Sequence, residues 1–194
     1  MSEHGSNGIV VGIVKDLDDP EGIGRVKVTY PHLADAPSDW ARLATIMGGA
    51  KRGAFFRPEV NDEVLVAFEH GDPRRPCILG SLWSKVDQPP ADDGDKKKNN
   101  WRFITSRSGH VIKLDDTANK ERVEIVGKGG SHKVVIDVSA KKIQITCDTG
   151  DVEIAAPAGD IKVSAKSVQI KADTDMSVEA GGTLTIKGAT VNIN

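Results

Sequence analysis

The side chains that invite a catalytic reading gather around one histidine. His110 follows Ser106 and Ser108 and precedes Asp115 and Asp116, the residue types of a serine-hydrolase triad. A triad nucleophile needs a sharp strand-to-helix turn, and this stretch reads as strand–turn–strand. Asp115-Asp116-Thr117 is better turn chemistry than metal chemistry. Gly127-Lys128-Gly129-Gly130-Ser131 is glycine-rich but opens no helix, so a hairpin turn is expected and not a phosphate loop. The histidines are His4, His32, His70, His110 and His132, with no i, i+2 pair among them. No catalytic residue, metal ligand or cofactor site is expected, and so no enzyme. Trp40, Phe55 and Phe56 could stack bases, but the net charge is −2 and no block is basic enough for nucleic acid. Cys77 and Cys147 are too few for a disulfide framework and read as buried thiols in a reducing compartment.

The elements that would position such residues are strands. Over residues 8–83, Gly8–Val14 is a β-branched run and Gly24–Tyr30 alternates apolar and polar, followed by Glu63–Phe68 and Cys77–Leu82. Turns fall at Asp18–Gly22 and Gly71–Pro73, and a longer loop joins Pro31 to Phe56. About five short strands in this span predict a small barrel of oligonucleotide/oligosaccharide-binding (OB) topology. Residues 84–100, with Gln88-Pro89-Pro90 and mixed charge around Lys96–Lys98, read as a solvated linker.

From Trp101 onward the pattern changes. All eight aromatics lie at or before Phe103, so the 91 residues that follow have only small and aliphatic side chains to bury. Apolar pairs two apart recur at Val134 and Ile136, Ile143 and Ile145, Val152 and Ile154, Ile161 and Val163, Val168 and Ile170, Met176 and Val178, Leu184 and Ile186, and Val191 and Ile193. Successive pairs start 7 to 9 residues apart. Such a repeat decides architecture. Two inward residues per short strand cannot make a core alone, and one chain would leave sheet edges open. Three chains wound about one axis would complete each strand and bring these sixteen residues together. A single-chain solenoid is the alternative, although the six-residue step of left-handed β-helices does not match. At about 4.8 Å per layer, the eight pairs would build roughly 40 Å of needle.

Several segments resemble the central spike proteins of contractile phage tails and type VI secretion, the phage baseplate protein V and VgrG families. They are Gly12-Ile13-Val14, Asp19-Pro20, Gly24–Val28, Trp40-Ala41-Arg42, Gly53–Pro58, Asp62–Phe68, Gly71–Pro76 and Ile78-Leu79-Gly80. After the linker, Thr105–Thr117 is similar to the segment that opens the VgrG β-helix, and Val135-Ile136-Asp137 with the octads is similar to its shaft. The resemblance implies a homotrimer on a hub and tube, in transient contact with a target membrane. It also implies a PAAR-type tip protein on Val191-Asn192-Ile193-Asn194. The sequence departs from relatives that carry a lysozyme domain between barrel and needle, a large hub domain before the barrel, or an iron-binding His-x-His apex.

The expectation is therefore an all-β protein: an OB barrel over 1–83, a linker over 84–100 and an intertwined trimeric β-helix over 101–194. It would be made in the cytoplasm without a signal peptide and built into a phage tail or phage-tail-like injection particle, where it punctures membranes by force. Two other readings compete. One is an OB module that binds nucleic acid or glycan on a trimeric stalk; the other is a hydrolase spike.

Overall fold

The computed structural model describes residues 8–95 and 97–193. His4, Lys96 and Asn194 lie outside the described residues. Contact density divides the chain into two units, residues 1–146 and 147–194.

The first unit opens with a barrel. The β-branched run becomes β1 (Val10–Asp16), and the alternating segment becomes β2 (Lys27–Tyr30). Short strands β3 (Ala36–Pro37), β4 (Arg42–Leu43), β5 (Gly48–Gly49) and β6 (Arg52–Gly53) occupy the expected long loop. Then come β7 (Glu63–Phe68) and β8 (Pro76–Ser81). The sheet order is β3-β2-β1-β7-β8-β4. All neighbours are antiparallel except β4, which runs parallel to β8 with Arg42 opposite Cys77.

The barrel closes through one bridge. Ala41, just before β4, exchanges both backbone hydrogen bonds with Val26, just before β2, at 2.8 and 3.0 Å. Every inward position then meets others. Val14, Val26, Val28, Tyr30, Ala41, Val64, Val66 and Ile78 form the buried core. Gly12 also points inward. A Cβ there would lie 3.0 Å from Val28 Cγ2 and 3.1 Å from Val66 Cγ2, so the two valines already fill that space.

The loop after β1 is pinned by one carboxylate. Asp19 accepts hydrogen bonds from the Arg25 Nη2 at 2.7 Å and Nε at 3.0 Å, and from the amides of Glu21, Ile23 and Arg25. The Arg25 guanidinium holds the Asp19 carboxyl well below the usual carboxylate range, against the opposing pull of burial. Asp72, in the turn before β8, is lowered to about 2 by the guanidinium and amide of Arg74.

Both groups bind protons less readily folded than unfolded. Their stabilisation is present above the ordinary value of 3.8 and is lost as pH falls through the folded values. The urea midpoint is therefore expected to be flat above about pH 5 and to fall steeply from about pH 4 downward. Asp19→Asn should remove much of that slope. An unchanged slope would show that Asp19 is not the titrating group.

The linker after β8 is built of local turns. Ser84 Oγ accepts from the amides of Val86 and Asp87, and Asp92, Asp93 and Asp95 each take the amide two residues on. Beyond it lies a five-stranded antiparallel meander in sequence order. Its strands are β9 (Trp101–Thr105), β10 (Val111–Asp115), β11 (Arg122–Val126), β12 (His132–Asp137) and β13 (Lys142–Cys147). The glycine-rich segment is the turn between β11 and β12, with Gly129 and Gly130 at positive φ.

After Cys147, the last residue of β13, no β-ladder forms among the described residues. The β-helix expected over 101–194 is thus not made by one chain. Its first part is the meander, and the rest is strand-free. The described residues hold no helix beyond three short 3-10 turns, and no helix is long and apolar enough to cross a membrane.

Candidate functional site

The residues that could have formed a triad are not brought together. His110 Nδ1 accepts from the Lys128 amide at 3.1 Å, while Ser106 Oγ accepts from the His110 amide at 3.0 Å. Asp116 is bound to Arg102 at 2.6 Å. Asp115 caps Thr117 and faces Arg122. Burial raises the Asp115 pKa, but the Thr117 hydroxyl and amide with the Arg122 and Lys113 charges outweigh it, and the net shift is downward. These groups hold turns. No cluster of three or more metal-ligating side chains stands among the described residues. Cys77 and Cys147 are free and only half-buried, where burial was expected. The Trp40 ring is covered by Lys27, with Nζ 5.0 Å from the centroid, and by Arg25 at 5.9 Å. That leaves little of its face for a base.

The notable surface lies elsewhere. Residues directly opposite in a sheet share a face. The register pairs Ile112 with Ile104 and Ile125, Leu114 with Val123, Val123 with Ile136, and Ile125 with Val134. One face of the meander is therefore an aliphatic lattice. Ile104, Ile112, Leu114, Ile125 and Ile136 are 43–53% exposed. The opposite face carries charged groups that pair within the chain, although Trp101 Nε1 and Arg122 Nε have no hydrogen-bond partner among the described residues. Lys113 Nζ sits 2.5 Å from Glu124 Oε2 and 4.2 Å above the Trp101 ring, and Arg122 Nε reaches Glu124 at 3.1 Å. Lys113, Arg122 and Glu124 find charged partners inside one chain, whereas the aliphatic face is left uncovered.

The second unit repeats this imbalance. Sixteen residues were expected to be buried in a needle core, and within one chain they are not. Val134 is half-buried. Ile136, Ile143 and Ile145, on the last two strands of the meander, are exposed. So are Val152, Ile154, Ile161, Val163, Val168 and Ile170, and after them Met176, Val178, Leu184, Ile186, Val191 and Ile193. From Val152 to Ile193 the exposure is 49–87%. The physical reason is that a strand-free stretch of one chain lays no second layer over these side chains. Val191, Asn192 and Ile193 of the expected tip surface are therefore exposed too, and Asn194 is outside the described residues.

The sequence reading missed the earlier part of this surface. The pairs Ile112/Leu114 and Val123/Ile125 precede Val134/Ile136 at steps of 11 residues. The signal was present, at a longer period than the octads.

Residues 10–83 match the type VI secretion system/phage-baseplate injector OB domain family. Among curated proteins, the chain is 27% identical over 124 residues to the type VI secretion system spike protein VgrG5 of Pseudomonas aeruginosa. That alignment covers 59% of this chain and 16% of VgrG5. It is 28% identical over 111 residues to the spike protein VgrG3 of Vibrio cholerae, covering 53% of this chain and 11% of VgrG3. It is 27% identical over 108 residues to the actin cross-linking toxin VgrG1 of Vibrio cholerae, covering 52% and 10%. The chain thus spans only a tenth to a sixth of the length of these relatives. Residues 10–83 are thus an injector-type OB domain, and the chain is similar to VgrG spike proteins over a little more than half its length.

Proposed function

We propose that three copies of this chain intertwine from Trp101 onward into a β-helical needle that works mechanically and not as an enzyme. The OB domains sit on the hub and tube of a contractile injection apparatus. The needle carries a PAAR-type tip protein at its C-terminal end and is driven through a target membrane. The division into OB domain (1–83), linker (84–100) and needle (101–194) belongs to this reading.

The observation that supports it is the exposure of the repeat. Burying one Val, Ile, Leu or Met side chain contributes about 1.5–3 kcal/mol. A single chain from Val152 to Ile193 forgoes that for twelve such residues. It also leaves its backbone without ladder partners, which water must satisfy. Sister copies at one strand spacing would supply both deficits together. Lys, Asp, Ser and Thr alternate with these aliphatics and would face outward.

Native mass measurement tests the proposal. A species of three times the 20.7 kDa of one chain is expected. A folded single chain at micromolar concentration would end it.

A further inference from the structure

Two exposed surfaces near the barrel are explained neither by the meander face nor by the repeat. The first is a groove of about 580 Å³ between the Ile23–Arg25 loop, β4 and the β5–β6 hairpin. Leu43, Met47, Phe55 and Phe56 give it an apolar lining, and both phenylalanines are largely exposed. Its cations divide into two kinds. Arg25 is held by Asp19 and Glu21, and Arg42 by Glu69. Lys51 and Arg52 form no ion pair among the described residues. The hairpin that presents them is fixed by Gly53 at φ +149°, where a Cβ would lie 2.5 Å from the Met47 carbonyl oxygen.

The second surface follows β8. Trp83 is 72% and Val86 89% exposed. Acidic residues follow them. Asp93 is taken by Asn100 and Asp95 by Lys98. Asp87 and Asp92 form no ion pair among the described residues. The segment is thus an apolar anchor followed by two anions that have no charged partner among the described residues, and the groove is an apolar slot with two cations that likewise have none. The Ser84–Asp87 turn, closed by the Ser84 amide donating to the Asp87 carbonyl at 2.9 Å, brings Asp87 back toward the Trp83 anchor.

We propose that Trp83–Asp92 of one copy docks in the OB groove of the neighbouring copy, Trp83 against Phe55 and Phe56 and the two aspartates against Lys51 and Arg52. Each copy then supplies one anchor and one slot. A head-to-tail contact of this kind leaves no unfilled surface when three copies close a ring. The contact rests on the three-copy reading above. It adds that the barrels are clamped to one another, so that the linker is a strap and not a free tether. A large aromatic side chain in a slot is the usual anchor of such contacts, and the rim charges set register.

The full-length chain is tested with Cys77 and Cys147 replaced by serine, carrying Lys51→Cys and Asp87→Cys and treated with a short bismaleimide. Cross-linked species of two and three chains are expected on a denaturing gel. A native mass of three chains with only single-chain species on that gel, cross-linked internally or not at all, would overturn the strap and leave the trimer standing. A native mass of one chain would overturn both.

Chymotryptic cleavage after Trp83 provides a second readout. It is expected to be about tenfold faster in K51E/R52E. Adding D87K/D92K to that variant should restore slow cleavage. Failure of the combined reversal to restore protection would refute the charge pairing.

Discussion

Ile145→Asp together with Ile154→Asp is expected to convert the protein from three chains to one while the OB barrel stays folded. The two positions are 65% and 73% exposed in a single chain. If the protein worked as a monomer, such surface substitutions would change stability by no more than about 0.5 kcal/mol. In a needle the same substitutions put three carboxylates into each of two adjacent apolar layers. Each would have to be buried without a partner or protonated to enter, and carboxylates packed against one another repel. The cost is several kcal/mol per layer, on the scale of a whole domain's stability. The two readings therefore differ by an order of magnitude in effect. The native mass should fall to 20.7 kDa, with barrel circular dichroism retained. Gln144→Asp, between Ile143 and Ile145, alternates to the other side of its strand and should leave the mass unchanged. Three-chain mass in the double aspartate variant would show that these pairs do not meet in a core.

How far the sequence could be read depends on the range over which each element is specified. Gly24–Tyr30 carries its strand alternation within the segment, and Lys27–Tyr30 of it is a strand with Val28 and Tyr30 in the core; Glu63–Phe68 is a strand as expected, with Val64 and Val66 in the core. The closure of the barrel was not legible. It depends on one bridge between Val26 and Ala41, and the strands of the intervening loop are only two residues long. No period can register in two residues. The Asp19–Arg25 clamp spans six positions of a turn-rich loop, where composition shows a turn but not which amides converge on the carboxylate.

In the second half, the octads were visible because their apolar pairs recur at short steps of 7 to 9 residues. The meander was hidden because its hairpins are longer. Asp116–Glu121 and Gly127–Ser131 stretch the step between apolar pairs to 11 residues. The missing aromatics beyond Phe103 did point to a core made only of aliphatics. Trp101, stacked under Lys113 on the polar face, and Phe103 are the last Trp, Tyr or Phe residues in the chain.

The other large effect concerns the final pair. Val191→Asp with Ile193→Asp is expected to leave the three-chain mass intact and to abolish binding of a PAAR-type tip protein. Val191 and Ile193 are 49% and 87% exposed, and in the proposed needle theirs is the layer that receives the tip protein. Each chain contributes two aliphatic side chains to that end, so a threefold tip offers six. At about 1.5–3 kcal/mol for each side chain buried, their contribution exceeds the −12 kcal/mol or so of a nanomolar complex at the upper end, before the costs of association are subtracted. Replacing them with carboxylates also sets six like charges at one face. Binding measured by calorimetry should weaken at least a thousandfold, beyond detection in practice. The needle keeps all seven earlier layers and should not dissociate. Unweakened binding with the trimer intact would place the tip contact elsewhere, and loss of the trimer itself would show that the end layer holds the chains together and does more than receive a cap.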